Sequence, residues 1–369
     1  MNNFGIEALG IKIPSYAMHA KEIAKLHGIP EEKVTVGLAC HMIGLCLDNE
    51  TVVDLAVGAA ERALKDWGGD PKNIGLIAVG TESSVDESRP LSAWVADRLD
   101  LKGMIRSYEV KHACYGGTVA LRQALEWKAA TQNDDKVALV IAADICNYEP
   151  GHPAEPTQGG GAVAFIVGRD DICSIDIRSY AYSEPVFDFW RPTGNDFPQV
   201  DGPESLKAYF KAVESCYQAF FEDQPGVSID DFYALCFHTP FPKMVFKALK
   251  HLATTLNYSE EKYHHILNKK VLPFMAWNRE VGNAYTASLW MNAAHALHHA
   301  KAGEKIACFS YGSGFGSELL TITRTHGPAS WGDDIKADLA ERKIISLNDY
   351  CEWQQKTPRR RGRDSQNIP

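Results

Sequence analysis

Tyr108-Glu-Val-Lys-His-Ala-Cys-Tyr-Gly-Gly-Thr118 is the stretch on which the reading of this chain turns. It passes from a short strand through a cysteine into a helix, and Gly116 and Gly117 let other backbone approach closely. A thiol at a helix start meets the positive end of the dipole and unpaired N–H groups, which favour the thiolate. Such a thiol is a nucleophile, and its own backbone N–H can serve as an oxyanion donor. The alternative, a buried structural cysteine, suits Cys40, Cys146, Cys173, Cys236 and Cys308 better than Cys114.

Outward from Cys114, β-rich and helix-rich patches alternate, which predicts an α/β fold. Residues 73–81, 136–144, 162–168, 232–238 and 305–311 read as short apolar strands buried on both faces. Helical patterns cover 50–67, 92–99, 114–130, 205–221, 243–256 and 285–302. Their order repeats: a strand at 74, a helix opening at 114 and a strand at 136 are echoed by a strand at 232, a helix opening near 285 and a strand at 305. A fold of two similar halves, residues 1–170 and 171–323, with a site at their junction fits this spacing. The remainder, 324–369, turns polar and ends in a basic run, Lys356 to Arg363, that reads as a solvated tail.

Composition narrows the function. The 369 residues are 45% apolar and 23% charged, ordinary values for a globular chain able to bury a large core. No apolar run reaches the ~18–20 residues of a membrane helix, and the first residues lack the pattern of a signal peptide, so a cytoplasmic protein is expected. Nine cysteines without a C-x-x-C pair support neither a disulfide framework nor a zinc ribbon. A net charge of −9 argues against nucleic-acid binding.

Other residues carry chemistry only in context. Glu82 ends the strand at 74–81, where α/β sheets place their ligands; it reads as an acid/base group with a raised pKa or as a strand-end cap. His238 ends the strand at 232–238 and by itself reads as a core histidine. Lys243, Lys247 and Lys250 line one helix face, either solvated or holding the phosphates of a nucleotide-like carrier. The run Gln158-Gly-Gly-Gly lacks the Lys-[Ser/Thr] of a phosphate loop and reads as a tight turn between strands. His295 and His299 have metal-pair spacing, but Ala296 stands where the zinc-protease motif has Glu, so no metal site is expected. Tyr311-Gly-Ser-Gly-Phe-Gly-Ser317 is a glycine turn whose N–H groups could reach a substrate carbonyl.

Together these segments resemble the 3-hydroxy-3-methylglutaryl-CoA synthases of the thiolase superfamily. The resemblance rests on Gly80-Thr-Glu-Ser-Ser84, Glu109-Val-Lys-His-Ala-Cys-Tyr-Gly-Gly117, Glu155-Pro-Thr-Gln-Gly-Gly-Gly-Ala-Val163, Asp188-Phe-Trp-Arg-Pro192, Phe237-His-Thr-Pro-Phe-Pro-Lys-Met244, Val281-Gly-Asn-Ala-Tyr-Thr-Ala-Ser288 and Phe309-Ser-Tyr-Gly-Ser-Gly314, in that order. It implies a duplicated five-layer αβαβα fold that forms a homodimer. Cys114 would be the acylated nucleophile and Glu82 the general acid/base, while His238 and Asn283 would position the acetoacetyl group. Ser313 would complete an oxyanion hole with the Cys114 amide, Tyr148 and Asp188 would line the site, and Lys243, with Lys247 a turn on, would meet coenzyme A.

The implied reaction condenses acetyl-CoA with acetoacetyl-CoA, without metal or redox cofactor, for the mevalonate pathway. The rival reading is a β-branching synthase whose acceptor rides on an acyl carrier protein. Among the departures from the family, the segment Asp144-Ile-Cys-Asn-Tyr148 keeps the aspartate and tyrosine but has Cys146-Asn147 where Ala-Arg is usual.

Overall fold

The computed structural model describes residues 4–47, 50–130 and 135–356. Ten strands form its main sheet: β1 (Phe4–Lys12), β2 (Ile74–Gly80), β3 (Arg106–Val110), β4 (Val137–Cys146), β5 (Gly159–Arg169), β6 (Cys173–Ile175), β7 (Tyr180–Ser183), β8 (Phe232–Phe237), β9 (Lys305–Gly312) and β10 (Gly316–Arg324). Across the sheet they run β8-β9-β10-β6-β1-β5-β4-β2-β3, with β7 paired to β10.

This order contains the repeat that the sequence spacing suggested. In β2-β4-β5-β1 the first pair is parallel and the next two antiparallel. In β8-β9-β10-β6 the senses are the same. The two sets join edge to edge where β1 pairs with β6.

The layers follow from the alternation of side chains along each strand. In β2, Leu76 and Ala78 enter one core while Ile77 and Val79 enter another; in β8, Ala234 and Cys236 share the first core while Leu235 and Phe237 face a third. The shared core is filled by helices α2 (Gly116–Ala130) and α5 (Thr286–His299). Helix α1 (Val52–Trp67) covers the outer face of the first sheet half, and α3 (Gly202–Asp223) and α4 (Pro242–Thr255) cover the outer face of the second. Helix, sheet, helix pair, sheet and helix pair make the five layers of a thiolase-like αβαβα fold.

The start of α2 lies directly on the sheet, and that contact demands glycine. A Cβ on Gly80 would come within 2.2 Å of the Gly117 nitrogen, and one on Gly117 within 2.6 Å of the Ala142 Cβ and the Thr286 Oγ1. The Gly117 N–H donates to that Thr286 hydroxyl at 2.5 Å, which ties the first turn of α2 to the first turn of α5.

One sequence expectation needs correcting. Gly159, Gly160 and Gly161 lie inside β5 rather than in a turn; a Cβ on Gly159 would collide with the Val281 carbonyl, so the strand is glycine-rich to admit the 281–283 segment. The polar region after Thr323 is folded through α6 (Trp331–Glu341) and α7 (Leu347–Lys356), which bury Trp331, Ile335 and Tyr350. The basic run from 357 onward lies outside the described residues.

Gly117→Ala should cost about 1–3 kcal/mol, the usual range for forcing extra volume into a packed site. A urea midpoint identical to that of the unaltered protein would contradict this account of the sheet–helix contact.

Candidate active site

Cys114 lies in the turn just before α2, after Ala113, whose φ of 41° is left-handed. Its thiol donates to Glu82 Oε1 at 3.4 Å. Glu82 is placed by Asp144, a fully buried residue near the end of β4. Asp144 Oδ1 accepts from the Glu82 N–H at 2.8 Å, the Ser83 N–H at 3.0 Å, the Ser83 hydroxyl at 2.7 Å and the Thr81 hydroxyl at 2.9 Å. Its Oδ2 accepts from the Thr286 N–H at 3.1 Å, the first residue of α5. One carboxylate thus holds both the Glu82 loop and the start of the opposite helix.

Burial and the nearby Asp144 carboxylate raise the Glu82 pKa well above the usual carboxylate range, with Arg191 opposing the rise. The Arg191 guanidinium donates to the Glu82 carbonyl oxygen. The thiol of Cys114 is also pushed up, by burial first and then by Glu82 and Asp144. This corrects the expectation that the helix start would favour a thiolate: burial first, and then the two neighbouring acidic groups, outweigh the dipole, so the resting group is a thiol hydrogen-bonded to the Glu82 side chain.

His238 follows β8 and is almost completely buried, its N–H donating to the Phe309 carbonyl at 2.8 Å and its carbonyl accepting from the Tyr209 hydroxyl at 2.7 Å. Burial pushes its pKa down to about 3, so the ring is neutral at physiological pH. Among the described residues Nδ1 has no hydrogen-bond partner, unlike a satisfied core histidine. Asn283, just before α5, accepts on Oδ1 from the Tyr285 N–H at 2.9 Å and the Ser288 hydroxyl at 3.2 Å.

Asp188 is a structural clamp. Its Oδ2 accepts from the hydroxyls of Ser205 and Ser313, both at 2.8 Å, and of Tyr311 at 3.1 Å, while Oδ1 accepts from the Gly314 N–H at 3.3 Å. Because the Ser313 hydroxyl is turned to Asp188, any oxyanion contact from this residue falls to its backbone N–H. Tyr148 is buried in a small cluster with Cys146 and Tyr285, against which Cys114 and Phe189 pack.

The lysine stripe is divided by the structure. Lys243 is half-buried at the start of α4, its ammonium 5.9 Å from the Phe246 ring, and Lys247 is exposed. Lys250 is paired with Glu260 and lies over the Tyr263 ring. His295 and His299 hydrogen-bond to one another at 3.2 Å, and no group of three or more ligand-type residues that could hold a metal occurs among the described residues.

Sequence reasoning assigned no role to Asp144, Arg191 or Tyr285. Only Asp144 leaves a signal: a carboxylate at the end of an otherwise apolar strand must find donors.

The fold is that of thiolase-type condensing enzymes, and the site brings a cysteine thiol and a buried glutamate together. The chain belongs to the hydroxymethylglutaryl-coenzyme A synthase family: the family's N-terminal part matches residues 1–172 and its C-terminal part residues 174–265 and 261–366. The Enterococcus faecalis hydroxymethylglutaryl-CoA synthase is 34% identical over 86% of this chain and 82% of that protein. The solved structure of MvaS in complex with 3-hydroxy-3-methylglutaryl coenzyme A is 32% identical, with a TM-score of 0.88, covering 97% of this chain and 93% of that one. The HMG synthase of the curacin biosynthetic pathway, solved in complex with acetyl donor-ACP, is 27% identical at a TM-score of 0.88, covering 95% and 88%. This chain is accordingly an acyl-transferring enzyme of that family.

A base with a raised pKa gains activity as pH rises, whereas His238 should contribute no limb because it stays neutral. The log of kcat should therefore climb through one acidic limb lying above the ~4.3 of an ordinary glutamate, and Glu82→Gln should abolish it. A limb at the ordinary value would contradict the raised pKa.

Proposed function

We propose that this enzyme condenses acetyl-CoA with acetoacetyl-CoA to give 3-hydroxy-3-methylglutaryl-CoA and CoA, through an acetyl thioester on Cys114. The observation that carries the reading is the Cys114 thiol donating to Glu82 Oε1 at 3.4 Å. Glu82 takes the thiol proton as sulfur attacks the acetyl carbonyl, and returns it to the departing CoA sulfur. Again a carboxylate, it removes a proton from the acetyl methyl group. The enolate attacks the ketone carbon of acetoacetyl-CoA, whose oxygen is protonated to the alcohol. Water then releases the product acid from Cys114.

The remaining residues serve these steps. The Cys114 and Ser313 N–H groups stabilise oxyanions. His238, neutral and with a buried unpartnered Nδ1, positions the acceptor ketone together with Asn283, and Tyr148 lines the site. Lys243 and Lys247 meet the phosphates of CoA. The steps are acyl transfer, proton transfer, addition of an enolate to a ketone and thioester hydrolysis, with no net oxidation or reduction, so the reading calls for no metal or redox cofactor. It places the enzyme in the cytoplasm, in keeping with nine free thiols, and has it working as a homodimer.

The mevalonate reading is favoured over β-branching by Lys250. Its pairing with Glu260 withdraws it from the stripe, which leaves a short basic patch suited to CoA rather than the broad one a carrier protein would cover. The family contains both kinds of enzyme, so the acceptor is the point to test.

Acetyl-CoA alone should add one acetyl group, at Cys114, by intact mass and peptide mapping. Glu82→Gln should slow acetylation, because the thiol loses the group that takes its proton, and overall turnover should fall further, by about 10²–10⁴, because the base for the acetyl methyl is lost as well. Label on another cysteine would sink the assignment of the nucleophile.

The acceptor is decided by comparing acetoacetyl-CoA with an acetoacetyl carrier protein in one steady-state assay. Efficient use of acetoacetyl-CoA is expected, with Lys243→Glu raising its KM more than it lowers kcat. A preference above about tenfold for the carrier, ~1.4 kcal/mol in the transition state, would overturn the mevalonate reading.

A further inference from the structure

Cys146 is a second thiol beside the nucleophile, and the reaction assigns it no step. It is the last residue of β4 and is fully buried. Across the strand pair its partner is Gly159, which contributes no side chain, so the bulk at this level of the sheet comes from Cys146 itself. With Tyr148 and Tyr285 it forms a separate small cluster, and Cys114 packs against that cluster.

The two aromatic walls are fixed from outside. The Tyr148 ring stacks on His152 at 5.3 Å, and the Tyr285 ring meets Phe189 edge-on at 5.9 Å. Tyr285 is also held at φ 41°, a conformation that persists only where the surroundings over-determine it. Both phenols interact with the Cys146 sulfur. Each wall thus has a ring packed against it, and the Cys146 side chain between them bounds the space against which Cys114 packs.

We propose that Cys146 sets the size of the acyl group accepted on Cys114, restricting the enzyme to two-carbon thioester donors and excluding three-carbon ones. The inference rests on the Cys114 acyl-enzyme reading. A thiol differs from the hydrogen of an alanine methyl by about the volume that one further methylene needs. In an apolar pocket one methylene is worth about 10–200-fold in discrimination.

The test is single-turnover acylation by acetyl-CoA and by propionyl-CoA, followed by intact mass. The unaltered enzyme should take acetyl at least about tenfold faster than propionyl. Cys146→Ala should raise the propionyl-to-acetyl rate ratio by about tenfold or more. Should the alanine variant fail to fold, Cys146→Ser, whose hydroxyl is smaller than the thiol, should shift the ratio the same way by about threefold. A ratio unchanged within about twofold in the folded variants, or equal use of both donors by the unaltered enzyme, would overturn the proposal. No acetyl mass on Cys114 in the unaltered enzyme would instead overturn the acyl-enzyme reading.

Discussion

The buried carboxylate of Asp144 is the constraint on which the site depends. A carboxylate cannot remain inside a protein without compensation. Here the compensation is five donors, four on one oxygen from residues 81–83 and one on the other from the first turn of α5. Those donors come from opposite halves of the duplicated fold. Satisfying one charge therefore fixes the end of β2, the Glu82 backbone and the opening of α5 in a single arrangement, and the Gly117–Thr286 hydrogen bond locks α2 to it.

The same charge sets the chemistry. Asp144 lies close enough to Glu82 to raise its pKa, and both carboxylates raise that of Cys114. A pre-formed thiolate beside two carboxylates would be costly, whereas a thiol sharing its proton with Glu82 is not. Cys114 then becomes nucleophilic by giving its proton to Glu82 as it reacts, and Glu82 is poised to act again as the base for a carbon acid. The two demands of a condensing enzyme, thiol activation and methyl deprotonation, fall on one side chain because it is desolvated beside a like charge.

Much of this was legible in the sequence. The five apolar runs became strands because a strand covered on both faces has to be apolar throughout, and the six helical patterns each became a helix within a few residues. Glu82 could be picked out because it follows such a run, and Cys114 because it stands between a short strand and a helix opened by two glycines, whereas His238 by itself reads as a core histidine and is singled out only by the family resemblance. The glycine run at 159–161 was misread because a strand interior rarely tolerates glycine, and the reason it does here, the approach of Val281, lies more than a hundred residues away. Helices α6 and α7 were hidden by a polar composition that conceals single buried aromatics, Trp331 and Tyr350. The state of the thiol could not be read locally, because it is governed by burial and then by Glu82 and Asp144, about thirty residues away on either side, and the loss of Lys250 from the basic stripe depends on Glu260.

The central claim is that Asp144 places Glu82 and, together with burial, keeps its pKa high. Infrared titration of the carboxyl stretch, with Glu82 identified by subtraction of the Glu82→Gln spectrum, measures this in the unaltered protein and in Asp144→Asn. The account predicts that Glu82 protonates well above the ~4.3 of a free glutamate in the unaltered protein, and that its midpoint falls toward that value once the neighbouring charge is removed. A Glu82 midpoint that is ordinary from the start, or one that does not move in a folded Asp144→Asn protein, would contradict it.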